Sequence, residues 1–234
     1  MAASRLKGKP LLEINNVPII CHVLNIAKET GLEAIVATED KEIVTAVEQN
    51  GGGKVVLTGN HKTGTDRIFE AFKKLKIKNV DYILNLQGDE PMIDPKDIIN
   101  LNKLMIKNNS DIGTLASEIK KDTMLTNENI VKVITEKKLE NNNFSKALNF
   151  LRKGLTKENS NIYHHIGIYC YKVSILEKFI NLDQTKNEIK NRLEQLRALD
   201  NNIKINVALA ESSPIGVDTK EDYLALKKIM EYKS

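Results

Sequence analysis

Ser4-Arg5-Leu6-Lys7-Gly8-Lys9-Pro10-Leu11 sets an Arg and a Lys four positions apart around a Gly. A triphosphate needs cations, most of all as negative charge builds on departing pyrophosphate, and Gly lets the backbone pass close to phosphate oxygens. The spacing is not that of a Walker loop, and a solvated basic tail is the competing reading. Gln87-Gly88-Asp89-Glu90-Pro91 follows the clearest apolar run of the chain. A carboxylate at the carboxyl end of a central strand lies where open α/β sheets bind ligands. Asp89 is thereby a candidate magnesium ligand, with an ordinary Gly-Asp-Pro turn as the alternative. Asp218, in Gly216-Val217-Asp218-Thr219, is the candidate partner carboxylate. An Asp favoured at a helix N-terminus by the dipole is the competing reading there.

Three further segments carry suitable side chains. In Thr58 to Arg67, the small residues Thr63 and Gly64 suit backbone reading of a base edge, and Arg67 suits phosphate or base; a plain loop with a helix cap looks similar. His164 and His165 are adjacent on a strand-like run, so they point to opposite faces and cannot both ligate one metal. Glu194 and Arg197 form an i,i+3 pair on a predicted helix, where a surface salt bridge is the simplest reading.

The elements that must position these groups follow from hydrophobic period. Helices are predicted over Val17 to Thr30, Lys41 to Gln49, Asp66 to Lys76, Ile175 to Ile180 and Glu188 to Ala198. A final helix opens on a capping box at Thr219 to Asp222, with Tyr223, Leu226 and Met230 inward. Strands are predicted over Ala34 to Ala37, Lys54 to Leu57, Tyr82 to Leu86, Ile112 to Leu115, Ile130 to Thr135, Ile166 to Tyr171 and Ile203 to Ala210. Strands alternating with helices in the first half imply parallel βαβ units. From Ile112 to Tyr171 helices thin out, which implies an antiparallel extension whose loop-rich outer part is Glu136 to Ser160.

At 234 residues, 41% apolar and 28% charged, the chain has the composition of a globular protein with one sizeable core. A net charge of +4 comes from scattered Lys rather than a basic face, which argues against nucleic acid as partner. No apolar run approaches the ~20 residues of a membrane span, and none near the start resembles a signal peptide. Cys21 and Cys170 stand far apart without metal or disulfide spacing. The cytoplasm is the expected compartment.

Together, SRLKGKPL, HKTGTDR, NLQGDEP, NIVKV, HHIGIY, LEQLRAL and GVDTKED resemble, in order and spacing, the 3-deoxy-manno-octulosonate (Kdo) cytidylyltransferases. The resemblance runs from Ser4 to about residue 230. It implies a Rossmann-like nucleotide-diphospho-sugar transferase fold: a mixed, mostly parallel central sheet flanked by helices, in a single domain over 1–234. The strand-rich part, about 112–171, would be its dimerisation and sugar-side extension. It implies transfer of CMP from CTP to Kdo with Mg²⁺, in a homodimer, giving CMP-Kdo for lipopolysaccharide biosynthesis. The matching positions imply that Arg5 and Lys9 bind triphosphate, that Asp89 and Asp218 hold the metal, and that Thr63, Gly64, Arg67 and Gln87 lie at the cytosine side. His165, Tyr169, Glu194 and Gln195 match positions near the sugar. The mechanism implied is in-line attack on the α-phosphorus, with no protein nucleophile.

The chain departs from that pattern in two places. The family opens with a strand and Pro-Ala-Arg ahead of the residues seen here, so the chain is expected to be truncated and its sheet to lack the first strand. Lys146 stands where an Arg follows Phe-Ser, and cannot form a bidentate fork; Asn191 stands where an acidic residue is usual. Both lie toward the sugar side, which leaves an 8-amino Kdo analogue or another keto-acid sugar as alternative substrates. A catalytically impaired CTP-binding protein is the alternative of another class.

Overall fold

A computed structural model of the chain describes residues 6, 8–153, 161–214, 216–217 and 219–232. Asn15 and Asn16, at φ 52° and 60°, reverse the chain between β1 (Glu13–Ile14) and β2 (Val17–Pro18). Two successive positive φ values suit a tight hairpin turn, and Asn tolerates them. Helix α1 (Ile19–Glu29) starts directly after Pro18 and ends before Gly31, at φ 74°. Strand β3 (Ile35–Thr38), α2 (Lys41–Gln49) and β4 (Lys54–Leu57) form a βαβ unit, its strands parallel with Ile35 opposite Lys54. Then come α3 (Gly64–Leu75), β5 (Tyr82–Asn85), α4 (Pro95–Asn108) and β6 (Ile112–Ser117). They are followed by α5 (Thr123–Thr126), β7 (Lys132–Thr135), β8 (Phe144–Leu151) and β9 (Ile162–Lys172). The chain continues through α6 (Val173–Ile180), α7 (Lys186–Asn191), α8 (Leu196–Asp200), β10 (Ile205–Leu209) and α9 (Lys220–Tyr232).

The chain divides into two compact units, Met1–Asn79 with Asn85–Lys96 and Pro214–Ser234, and Val80–Leu84 with Asp97–Ser213. In the first, Cys21 and Leu24 of α1 pack with Val36, Ile43 and Val47 of the βαβ unit. A second cluster gathers Ile14, Ile19, Val217 and Leu226, with Tyr223 and Met230 against it. The capping box of α9 is present: Asp222 N–H donates to Thr219 Oγ1 at 3.1 Å, and Thr219 N–H to Asp222 Oδ2 at 2.8 Å.

The second unit is built on a six-stranded sheet in the order β5-β9-β6-β10-β8-β7. Every residue of β6 is buried, as in a strand covered on both faces. Gly113 lets α4 pack closely there, because a Cβ would lie 2.5 Å from Met105 Sδ and 3.0 Å from Leu101 Cδ1. Strand β9 is long enough, at 11 residues, to pair with β6 along most of its length and with β7 near its start.

The mixed α/β architecture agrees with expectation, but several details differ. Among the described ladders, parallel pairing is found in β3–β4 and β6–β10, while β9 and β8 enter the larger sheet antiparallel. Glu136 to Ser160 is not only loop, since β8 lies within it. The predicted helix Glu188 to Ala198 is two short ones, broken where Arg192 adopts a left-handed conformation at φ 54°. The expectation concerning a strand ahead of Ser4 lies outside the described residues.

Candidate active site

In the first unit Lys9, Asp89 and Gln87, all expected on the nucleotide side, come together. Gly8, at φ 72°, turns the chain into a short 3-10 helix, Lys9–Leu11. From there the Lys9 ammonium pairs with Asp89 Oδ2 and donates to the Val217 carbonyl at 3.0 Å. Val217 N–H in turn donates to the Asp89 carbonyl at 3.0 Å. The turn carrying Asp89 closes through Glu90 N–H to the Gln87 carbonyl, which puts Gln87 beside it. Gly88 allows that turn to approach α1: a Cβ would stand 3.0 Å from Ile20 Cδ1. Lys9, Asp89 and Gln87 are thus brought together by elements far apart in sequence. Arg5 and Asp218 lie outside the described residues.

Of the two carboxylates expected to hold magnesium, Asp89 is the one within the described residues. Asp89 offers a hard carboxylate with its side chain 22% exposed, beside a fixed cation. No cluster of three or more His, Cys, Asp or Glu side chains that could hold a metal occurs among the described residues. Magnesium needs no such cage, since it is held by one or two carboxylates together with substrate phosphates.

Thr63 caps α3, its hydroxyl accepting from Asp66 N–H at 3.1 Å. Gly64 is the first residue of that helix. Arg67 is held by Thr58 Oγ1 at 3.0 Å and by Glu39 Oε1 at 3.2 Å, so its guanidinium is fixed from one side by protein groups. The loop ahead of Thr63 is tied down by Glu70, which accepts from Gly59 N–H at 3.1 Å and pairs with His61 and with Lys74 at 2.6 Å. Hydrogen bonds from Lys74 and then His61 hold its carboxyl down at about 2. Sequence reasoning missed Glu70; its only signal is a Glu one turn before Lys73 and Lys74 on a helix.

In the second unit the residues expected near the sugar lie on β9 and in the turn before α8. His165 is buried, and burial, followed by the neighbouring His164, pushes its ring down to about 3, so it is neutral. Thr114 Oγ1 donates its single proton to the Ile168 carbonyl at 2.6 Å, so the 3.0 Å contact with His165 Nε2 is received from the ring N–H. That assignment leaves Nδ1 as the acceptor. Tyr169 stands 5.5 Å from the His165 ring, and its buried hydroxyl has no hydrogen-bond partner among the described residues. Burial, then Tyr171 and Glu194, pushes that phenol well above its usual value. Glu194 and Gln195 share the half-buried turn before α8.

The expected Glu194–Arg197 i,i+3 pair is present but is not a surface one. Arg197 is buried and makes a bidentate pair with Glu188, at 2.8 and 2.5 Å, while Glu194 lies 3.7 Å away. Helical spacing could not show this, because the break at Arg192 folds α7 back toward α8. Asp97 is a second buried carboxylate that sequence reasoning passed over; it accepts from the N–H groups of Glu211 and Ser212 at 3.0 and 3.1 Å.

The family model for cytidylyltransferases matches residues 1–205. The 3-deoxy-manno-octulosonate cytidylyltransferase of Thermodesulfovibrio yellowstonii is 42% identical over 240 residues, covering 97% of this chain and 94% of its own. That of Bartonella tribocorum is 38% identical over 232 residues, covering 98% and 95%. Among solved structures, CMP:2-keto-3-deoxy-manno-octonic acid synthetase complexed with CTP superposes with a TM-score of 0.87 at 32% identity, over 99% of this chain and 95% of that one. Apo UDP-glucose pyrophosphorylase, with a TM-score of 0.73 at 14% identity, shares the fold.

Proposed function

Because the chain belongs to the 3-deoxy-manno-octulosonate cytidylyltransferase family, we propose that it transfers CMP from CTP to the anomeric hydroxyl of Kdo. The observation that carries this reading to particular residues is the junction of Lys9, Asp89 and Val217, where a lysine, a carboxylate and the GVDT segment meet. Arg5, Lys9, Asp89 and Asp218 are the groups read as catalytic.

In the reaction the anomeric oxygen forms a bond to the α-phosphorus as the α–β phosphoanhydride bond breaks, and the hydroxyl proton passes to solvent. Phosphoryl chemistry of this kind asks little covalent work of the protein, which positions reactants and offsets charge. Lys9, held on Asp89 and Val217, would offer a positive charge to triphosphate oxygens. Arg5 would add a second. Asp89 and Asp218 would hold magnesium, which when bound supplies positive charge to the phosphates and acidifies a coordinated hydroxyl. Thr63, Gly64, Arg67 and Gln87 are read as the cytosine side, and His165, Tyr169, Glu194 and Gln195 as the sugar side. The neutral His165 ring and the Tyr169 hydroxyl suit uncharged sugar hydroxyls, which both donate and accept. The product would serve lipopolysaccharide biosynthesis, the compartment would be the cytoplasm, and the working form a homodimer. No helix among the described residues is long and apolar enough to cross a membrane.

The test is CTP-dependent pyrophosphate release with Kdo and, separately, with its 8-amino analogue. Turnover of Kdo is the expected result, and absence of turnover with both sugars sinks the reading. Chelation should stop the reaction and magnesium restore it. Persistence in chelator would remove the metal from the mechanism.

A further inference from the structure

Glu188 and Arg197 have no part in the reaction described above, yet each side chain is only 5% exposed. An ion pair so buried is a poor source of stability, because desolvation of both charges offsets their attraction. Its geometry is better accounted for by what the guanidinium touches. The Arg197 fork takes both oxygens of Glu188, and the guanidinium lies 3.7 Å from Glu194 Oε1 and 4.8 Å from the Phe179 ring centre. Phe179 stacks on Tyr171 at 6.2 Å, and Tyr171 on Tyr169 at 5.7 Å. The Glu188 carboxylate is itself fixed: it accepts from the backbone N–H of Thr185 at 3.2 Å, a bond that does not involve the threonine side chain, and from Gln184 Nε2 at 3.1 Å. One guanidinium therefore lies against both Glu194 and the ring series that runs from Phe179 through Tyr171 to Tyr169.

We infer that Arg197, locked by Glu188, is a positioning residue that sets Glu194 and Tyr169 for the sugar acid. This rests on the sugar-side reading above. An apolar residue of equal volume would fill the space but would neither face the Glu194 carboxylate nor fix an orientation. A lysine would keep the charge and lose the fork and the plane.

The test is steady-state kinetics of full-length Arg197→Lys and Glu188→Gln with CTP and Kdo, beside Thr185→Ala. The last weakens the cap of the same helix without removing the ion pair. Arg197→Lys and Glu188→Gln should raise KM for the sugar about tenfold or more, the scale seen when supporting groups of a site are removed. KM for CTP should hold, and Thr185→Ala should leave both constants unchanged. Lowered melting temperature with an unchanged sugar KM makes the pair merely structural and overturns the inference; so does a rise in both KM values together. Should Arg197→Lys not fold, Glu188→Gln, which keeps the side-chain shape, decides alone. Failure of the unmodified enzyme to use any keto-acid sugar would overturn the functional reading, and this inference with it.

Discussion

Lys9 and Asp89, 80 residues apart, meet as a partly buried ion pair in which the lysine also caps the carbonyl of Val217. The pair does more for charge placement than for stability, since exposed or half-exposed pairs contribute about 0–1 kcal/mol. Lys9→Met keeps the length of the side chain and removes the charge. The expected outcome is a loss of about 10²–10³ in kcat, the scale for removing one group that stabilises developing negative charge. Circular dichroism should be unchanged. Near-normal turnover would take Lys9 out of the phosphate side.

His165, proposed to lie near the sugar, makes acid stability a readout of its own burial. Its ring is held at about 3, below the unfolded value of about 6.5. The unfolded chain therefore binds more protons between those limits, and stability from the neutral, buried ring is complete above about pH 6.5 and lost as pH falls toward 3. This one group can steepen the fall by up to about 1.4 kcal/mol per pH unit. His164 is also pushed down, by burial and then by Lys132, and acts in the same sense. Urea denaturation of His165→Gln at several acidic pH values should give a shallower slope than the parent. Identical slopes would mean the ring is not kept neutral by burial.

Gly113 tests the packing of the second unit. Leu101 and Met105 are both fully buried beneath it, so the added methyl of Gly113→Ala has nowhere to go without moving them. Overpacking of this kind costs about 1–3 kcal/mol, and thermal unfolding should show the loss. Combined with Met105→Ala, the cost should be less than the sum of the two single changes, because the residues are in contact. Strict additivity would contradict the close approach.

What the sequence made legible follows from the kind of signal each element carries. α2 and β4 were readable to their ends, because Gly51 and Gly52 take positive φ and punctuate the helix. α4 was passed over although Ile98, Leu101 and Met105 mark a buried face, because its start sits in the turn-like run Pro91 to Pro95. β8 was hidden because two of its buried positions are Ser145 and Ala147, which carry little apolar signal. In the site, motif order pointed to Lys9 and Asp89. Arg197 looked like a surface residue because its main partner, Glu188, lies nine positions back across a chain reversal. Asp97 takes its partners 114 and 115 residues later, a relation no local pattern contains.

Glu70 offers a final test, of the proposed cytosine side. Its two carboxylate oxygens hold Gly59 N–H, His61 and Lys74 at once, and Lys74 reaches on to the Leu57 carbonyl at 2.8 Å. The loop leading to Thr63 and Gly64 is thus fastened to α3 by one side chain. Glu70→Gln removes the charge that attracts Lys74 and His61 while keeping the size. KM for CTP should rise, with KM for Kdo unchanged, if that loop reads the cytosine. Held at about 2, the carboxyl also lends stability that is present above its unfolded value of about 4.3 and lost as pH falls toward 2. The variant should accordingly lose less of its stability than the parent across that window. An unaltered KM for CTP would show that the 59–61 loop does not set the nucleotide site, whatever happens to the acid profile.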